Sequence, residues 1–169
     1  MSDEMFDVVN ERDEVIGCRS RSEVHRLGLR HRAVHVLVFN GQGAVFLQKR
    51  SRSKDTFPGA WDSSAAGHLA VGESYDAAAW RELQEELGWV PTSAPERRIR
   101  LVACPETGQE FVWVYCCRGN GPFCLHPEEI ECGDWFPRDV VTRWVRERPG
   151  DFASSFLLVW RELERVGGE

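Results

Sequence analysis

The chain has 169 residues, which fits a single domain spanning 1–169, and 42% hydrophobic content supplies enough apolar material for one packed core. No apolar run approaches the roughly 20 residues that span a bilayer, and Met1 to Asn10 is acidic and polar, so a soluble, cytoplasmic protein is expected, with no membrane partner. A formal net charge of -6 opposes binding to a nucleic-acid polymer, which depends on cationic contacts, whereas a small anion stays accessible through an intervening cation.

In chain order, Phe6 to Val9, the polar turn Asn10 to Glu14 and Val15 to Cys18 read as an N-terminal hairpin. Arg32 to Phe39 and Ala44 to Gln48 are β-rich runs separated by Asn40-Gly41-Gln42-Gly43, a strong hairpin signal. Further strands are expected at Trp61 to Ala66, Ile99 to Cys104, Glu110 to Cys117 and Cys132 to Phe136. From Ser74 to Leu87 the apolar residues fall at helical spacing, with Ser74 as N-cap, Asp76 in the first turn and Gly88 as C-cap. Asp139 to Val166 reads as one or two amphipathic helices interrupted near Pro149-Gly150. No repeat or linker divides the chain, and the mixture of elements predicts an α/β sandwich with a mixed β-sheet. The six cysteines form no Cys-x-x-Cys pair and are expected to be buried free thiols rather than zinc ligands or disulfides.

The chemistry concentrates in Gly67 to Trp89, where a loop with Gly67, Gly72 and Glu73 leads into the helix carrying Arg81, Glu82, Glu85 and Glu86. At about 100° per residue, Glu85 lies roughly 60° to one side of Glu82 and Glu86 roughly 40° to the other, so three acids share one face. Like charges about 6 Å apart repel by roughly 1 to 3 kcal/mol per pair, and no Lys or Arg stands four residues after each Glu to offset this. A divalent cation reverses the sign, and hard oxygen donors select Mg2+, with Mn2+ as a substitute. Three glutamates alone would still favour a solvated acidic face.

The surrounding spacing decides between these readings. Gly67, five residues, Glu73, seven residues and Arg81-Glu82-Leu83-Gln84-Glu85-Glu86-Leu87-Gly88 resemble the signature of the Nudix hydrolases, with Trp89 departing from its final aliphatic position. With seven fixed residues each near ~6% of average usage, chance gives such a match roughly once in 10^8 starting positions or more rarely. The resemblance implies a Nudix-type α/β/α sandwich and a Mg2+-dependent pyrophosphohydrolase that cleaves the phosphoanhydride of a small diphosphate-containing substrate, such as a nucleoside di- or triphosphate or a derivative. It implies metal binding by Glu82, Glu85, Glu86 and the Gly67 carbonyl, catalysis by Glu82 and Glu85 with Arg81, and bracing of the loop by Glu73 with Arg81.

Phe57 to His68 also resembles the isopentenyl-diphosphate isomerase branch of that superfamily, which makes isomerisation the rival reading. The isomerase cysteine falls at Ala66, whose methyl neither donates nor accepts a proton, and of the isomerase Glu-x-Glu pair only Glu110 is retained, with Gly108 at the other position. A third reading, a non-catalytic ligand-binding module, conflicts with the complete glutamate set. The resemblance implies that His25, His31, His68 and Glu110 correspond to ligands of a second metal. His25 and His31 are nevertheless expected to be surface or strand-edge polarity, and His68 a phosphate contact.

Lys49, Arg50, Arg52 and Lys54 follow a strand leading toward the loop, and Arg50 is the preferred substrate contact. Among acids outside the signature, Glu106, Glu110, Glu128 and Glu129 could each supply a base. The seven tryptophans do not identify a nucleobase. A homodimer is left open.

Overall fold

The computed structural model describes residues 3–167. It contains strands β1 (Met5–Val9), β2 (Val15–Ser20), β3 (His31–Phe39), β4 (Val45–Arg50), β5 (Trp61–Asp62), β6 (Ala65–His68), β7 (Glu96–Leu101), β8 (Glu110–Arg118) and β9 (Ile130–Phe136). The helices are α1 (Arg21–Leu27), α2 (Tyr75–Leu87), α3 (Arg138–Glu147) and α4 (Ser154–Val166).

Strands β1 and β2 form the expected hairpin as a separate two-stranded sheet. The main sheet runs β5-β4-β3-β8-β7, with β6 also on β3 and β9 also on β4. It is mixed: β3 and β8 are parallel, and the other pairings are antiparallel. Central β3 is buried on both faces, which is why its sequence is almost continuously apolar. Val34, Val36 and Val38 point to one layer with Ala78, Ala79, Leu83 and Leu87 of α2. Ala33, Leu37 and Phe39 point to the other, against Phe156, Val159, Trp160 and Leu163 of α4. Each large side chain of this kind contributes about 1.5–3 kcal/mol on burial. The result is an α/β sandwich.

Helix α2 has the expected ends: the Ser74 side chain accepts the Ala77 N–H, and Gly88 takes the left-handed conformation at φ 56°. The C-terminal region is two helices, with a 3-10 turn at Pro149–Asp151 between them. Two expectations need correction, and one helix is added. Trp61 to Ala66 is two short strands, because Ser64 turns inward where β3 and β4 splay, accepting from the Val38 N–H and donating to the Phe46 carbonyl. Helix α1 lay in a stretch read without structure; Ser20 caps its start and Gly28, at φ 62°, its end. The cysteines are all free, but only Cys116 and Cys117 are buried, while Cys18, Cys124 and Cys132 are exposed. Among the described residues, no helix is long and apolar enough to cross a membrane.

Candidate metal centre and active site

Helix α2 approaches β6 so closely that a Cβ on Gly67 would stand 2.1 Å from Glu82 Oε1. Only glycine allows this contact. Glu82 and Glu86 are turned inward and buried, whereas Glu85 is exposed. Glu86 Oε1 accepts the Ala66 N–H at 2.8 Å and Gln48 Nε2 at 3.2 Å. Burial pushes Glu82 up to about 7, against the pull of Arg81. Burial also raises Glu86 well above the carboxylate range, and repulsion from Glu82 and Glu129 adds to it. Two buried acids, both raised by desolvation and one raised further by the other, are suited to a cation.

Arg81 is the hub of this corner. Its Nε and Nη2 hold both Glu73 oxygens at 2.7 and 2.8 Å, and Nη2 also reaches the His68 carbonyl at 2.9 Å. Its Nη1 bridges Glu82 at 2.7 Å and Glu85 at 3.0 Å. Burial alone would raise the Glu73 carboxyl, yet Arg81 and the Ala70 N–H hold it below its ordinary value. The guanidinium stands between Glu82 and Glu85, so the three acids of the helix do not meet at one point. Glu86 turns under the helix to β6, and the acids that act on it electrostatically are Glu82 and Glu129, the latter just before β9. Glu129 is tied to Lys54; among the four acids outside the signature, its place just before a likely strand gives it some weight in the sequence.

The substrate-grip residues have partners within the chain. Arg50 donates to the Thr56 carbonyl at 3.0 Å and to Thr56 Oγ1 at 3.1 Å, and contacts Asp62 at 3.4 Å. Lys49 and Arg52 both face Glu131.

A second cluster lies beside the first. The parallel register sets His31 opposite Glu110, the β3–β6 register sets Ala33 opposite His68, and α1 delivers His25. Among the described residues, His25, His31 and His68 are the one group of His, Cys, Asp or Glu whose ligand atoms all lie within 4.8 Å of one another. His31 therefore corrects the expectation of surface or strand-edge polarity: it is 1% exposed on a central strand. Its Nδ1 donates to the Leu29 carbonyl at 2.9 Å, leaving a buried Nε2 with no partner. Burial lowers His31 to about 4, so the ring is neutral and its Nε2 lone pair available, as metal binding requires. His68 Nε2 lies 3.4 Å from Glu110 Oε1. Burial would raise Glu110, but His68, His31 and His35 outweigh it and hold the carboxyl below its ordinary value. Phe6 closes the cluster, its ring stacked on His31 at 5.7 Å and tilted against His68 at 4.7 Å. An orphaned imidazole nitrogen among two further imidazoles and a carboxylate fits a divalent transition metal.

The position opposite His35 on β6 is Ala66. Cys116 and Cys117 do not replace the missing thiol, because they lie toward the far end of β8 from Glu110, and burial pushes them up to about 11 and 12. Cys104 Sγ is engaged in its own turn with Thr107 Oγ1.

A family model described as the NUDIX domain matches residues 29–156. The chain belongs to the Nudix family. An uncharacterized Nudix hydrolase of Yersinia pestis is 34% identical over 98% of this chain and 91% of its own length. An isopentenyl-diphosphate Delta-isomerase of Serratia proteamaculans is 35% identical over 95% and 92%. Among solved structures, a Deinococcus radiodurans protein superposes with a TM-score of 0.81 at 29% identity, covering 94% of this chain and 98% of that one. The Nudix domain of a Shewanella oneidensis protein complexed with ADP ribose shares the fold, with a TM-score of 0.64 at 16% identity. Its sequence thus places this Nudix protein with the Nudix hydrolases, and the solved structures share its fold.

Proposed function

We propose that this Nudix enzyme is a Mg2+-dependent pyrophosphohydrolase, with Mn2+ as a substitute, cleaving a phosphoanhydride in a small diphosphate-containing substrate such as a nucleoside di- or triphosphate. The observation that carries this reading is the buried Glu82–Glu86 pair beside Gly67, two acids whose carboxyls are raised by burial even with Arg81 on Glu82. Glu82, Glu86 and the Gly67 carbonyl, with Glu85 from the exposed side, are the groups that would hold the ion. When bound, the ion supplies charge for phosphoryl oxygens and acidifies a water. Arg81 keeps Glu73, Glu82, Glu85 and the β6 end in fixed relation. Glu129, oriented by Lys54 beside Glu86, is the carboxylate we assign to take the proton from the attacking water.

A second reading, allylic isomerisation of a diphosphate, is favoured by the histidine cluster with Glu110 and by the Serratia relative. Ala66 opposes it, since no acid or thiol occupies that position. The deciding experiment incubates the purified protein with Mg2+ or Mn2+ and a panel of nucleoside di- and triphosphates, dinucleotides, nucleotide sugars and isopentenyl diphosphate, measuring phosphate release and isomer. Metal-dependent release that disappears in Glu82→Gln is the expected result. Isomer formation without release would sink the hydrolase reading, and absence of both would leave the ligand-binding module.

A further inference from the structure

A hollow of about 420 Å³ opens at the end of the sheet away from the histidines, between the Asn40–Gly43 turn and the segment 92–94. Its lining reaches Phe39, the last residue of β3, and at roughly 3.3 Å per residue this lies about 26 Å from His31. That volume falls within the range of small-molecule sites, roughly 300–1,000 Å³.

The charge of this hollow contradicts that of the chain. Arg98 from β7, Arg118 from the end of β8 and Arg138 from the start of α3 line it, and among the described residues Glu96 is the one carboxylate in that lining, in a protein whose net charge is -6. Three separate elements thus each contribute an arginine to the lining of one hollow. Arg98 and Arg138 both act on the buried Cys116 thiol, opposing the burial that pushes it up. Arg138 is held against the wall by the Phe39 ring at 5.7 Å, the Trp160 ring at 6.0 Å and Glu164 at 2.9 Å. Arg98 pairs with Glu96 at 3.3 Å, but both side chains are substantially exposed, and such a pair contributes little and exchanges readily. Thr92 and Ser93 add hydroxyls on the rim, and the glycines of the Asn40–Gly43 turn let a ligand approach the backbone.

We propose that this hollow is a second binding site, for a small phosphate-bearing polyanion, separate from the acidic site on α2. Guanidinium forks from several directions match the spread negative charge of a diphosphate better than that of a single carboxylate. The acidic site needs a metal to hold a phosphate, whereas this hollow does not.

The test is a titration of ¹⁵N-labelled protein with inorganic pyrophosphate in the presence of EDTA, followed by amide chemical shifts. The expected result is a saturable shift of Gly41, Gly43 and Ser93. In Arg98→Glu the apparent affinity falls roughly tenfold or more, and in Arg98→Lys, which keeps charge without the fork, it falls less. The dispersion of the remaining peaks reports that both variants are folded. Shifts confined to residues 50–54 and 66–68, or an affinity unchanged in Arg98→Glu, would overturn the proposal. Neither outcome depends on hydrolysis, so this site and the proposed activity fail or stand separately.

Discussion

The carboxylate of Asp7 accepts the backbone N–H of Gly72 at 2.9 Å, tying the N-terminal hairpin to the loop that carries Glu73 into α2. Its neighbour Phe6 packs on His31 and His68. Consecutive residues of β1 thus support the acidic site and the histidine cluster from opposite sides of one strand. A little further on, Asp13 accepts from Tyr75 Oη at 2.7 Å and from Arg32 Nε at 2.7 Å, which fixes the hairpin turn to the first turn of α2. The hairpin, separate from the main sheet, is a brace for the site.

Asp7 is therefore a positioning residue, and its role is read through metal dependence. Asp7→Leu should raise the Mg2+ concentration for half-maximal rate roughly tenfold, as loss of a supporting hydrogen bond around a metal site does. Stability should fall by about 1–3 kcal/mol, the cost of leaving the Gly72 N–H without its acceptor. Asp7→Asn keeps an oxygen in the same place and should restore most of the metal affinity. Equal metal dependence in wild type and Asp7→Leu would reduce Asp7 to an ordinary part of the fold.

Gly67→Ala tests the close approach of α2 to β6. The added methyl would meet Glu82 Oε1 at 2.1 Å and both other carboxyl atoms within 2.7 Å, so the carboxylate must move. Overpacking of this kind costs about 1–3 kcal/mol. We expect a lower Tm together with loss of most metal-dependent turnover, whereas Glu82→Gln should lose turnover at nearly unchanged Tm. Wild-type turnover in Gly67→Ala would show that the Glu82 position does not matter to the reaction.

Much of this was legible before the structure. Helix α2 could be read because its caps and apolar spacing agree, and the glutamates of the signature are local in sequence. The histidine cluster could not be read from residue spacing: the pairing of β3 with β6 and β8 brings His31, His68 and Glu110 together, and the placement of α1 adds His25. Helix α1 is seven residues with one buried side chain, Val24, too short for periodicity to stand out. The sequence favours Glu129 only weakly, by its place just before a likely strand; what separates it from Glu128 is the chain path that sets it against Lys54 and near Glu86. The convergence of Glu82, Glu85 and Glu86 followed from helical angles alone, which cannot foresee that Arg81 would stand between two of them.

The cluster makes its own prediction, independent of turnover. His31→Leu removes the unpartnered Nε2 but also the Nδ1 bond to the Leu29 carbonyl, two opposing effects of about 1–3 kcal/mol, so in EDTA the variant should melt near wild type. With the acidic site saturated by Mg2+, added Zn2+ should raise the Tm of wild type and not of the variant. A ligand at about 100 times its Kd stabilises the folded state by about 2.7 kcal/mol, well within reach of a thermal shift. No thermal shift in wild type, with equal metal content in both proteins after dialysis, would remove the second centre.

The last prediction concerns acid stability away from both sites. Arg21 holds Asp55 bidentately at 2.7 and 3.2 Å, joining α1 to the loop between β4 and β5. The Arg21 guanidinium holds Asp55 down to about 2, against an unfolded value near ~3.9. A depressed carboxyl stabilises the folded state fully above the unfolded value and loses that contribution as pH falls through the folded one. The Asp55 side chain is 55% exposed, so solvent screening limits the pair to about 0.2–1 kcal/mol. Asp55→Asn should therefore be less stable than wild type by that amount at pH 7, and the two denaturation midpoints should draw together between about pH 4 and pH 2. A difference that persisted unchanged to pH 2 would assign the effect to packing or hydrogen bonding that asparagine disturbs, and not to the charge on Asp55.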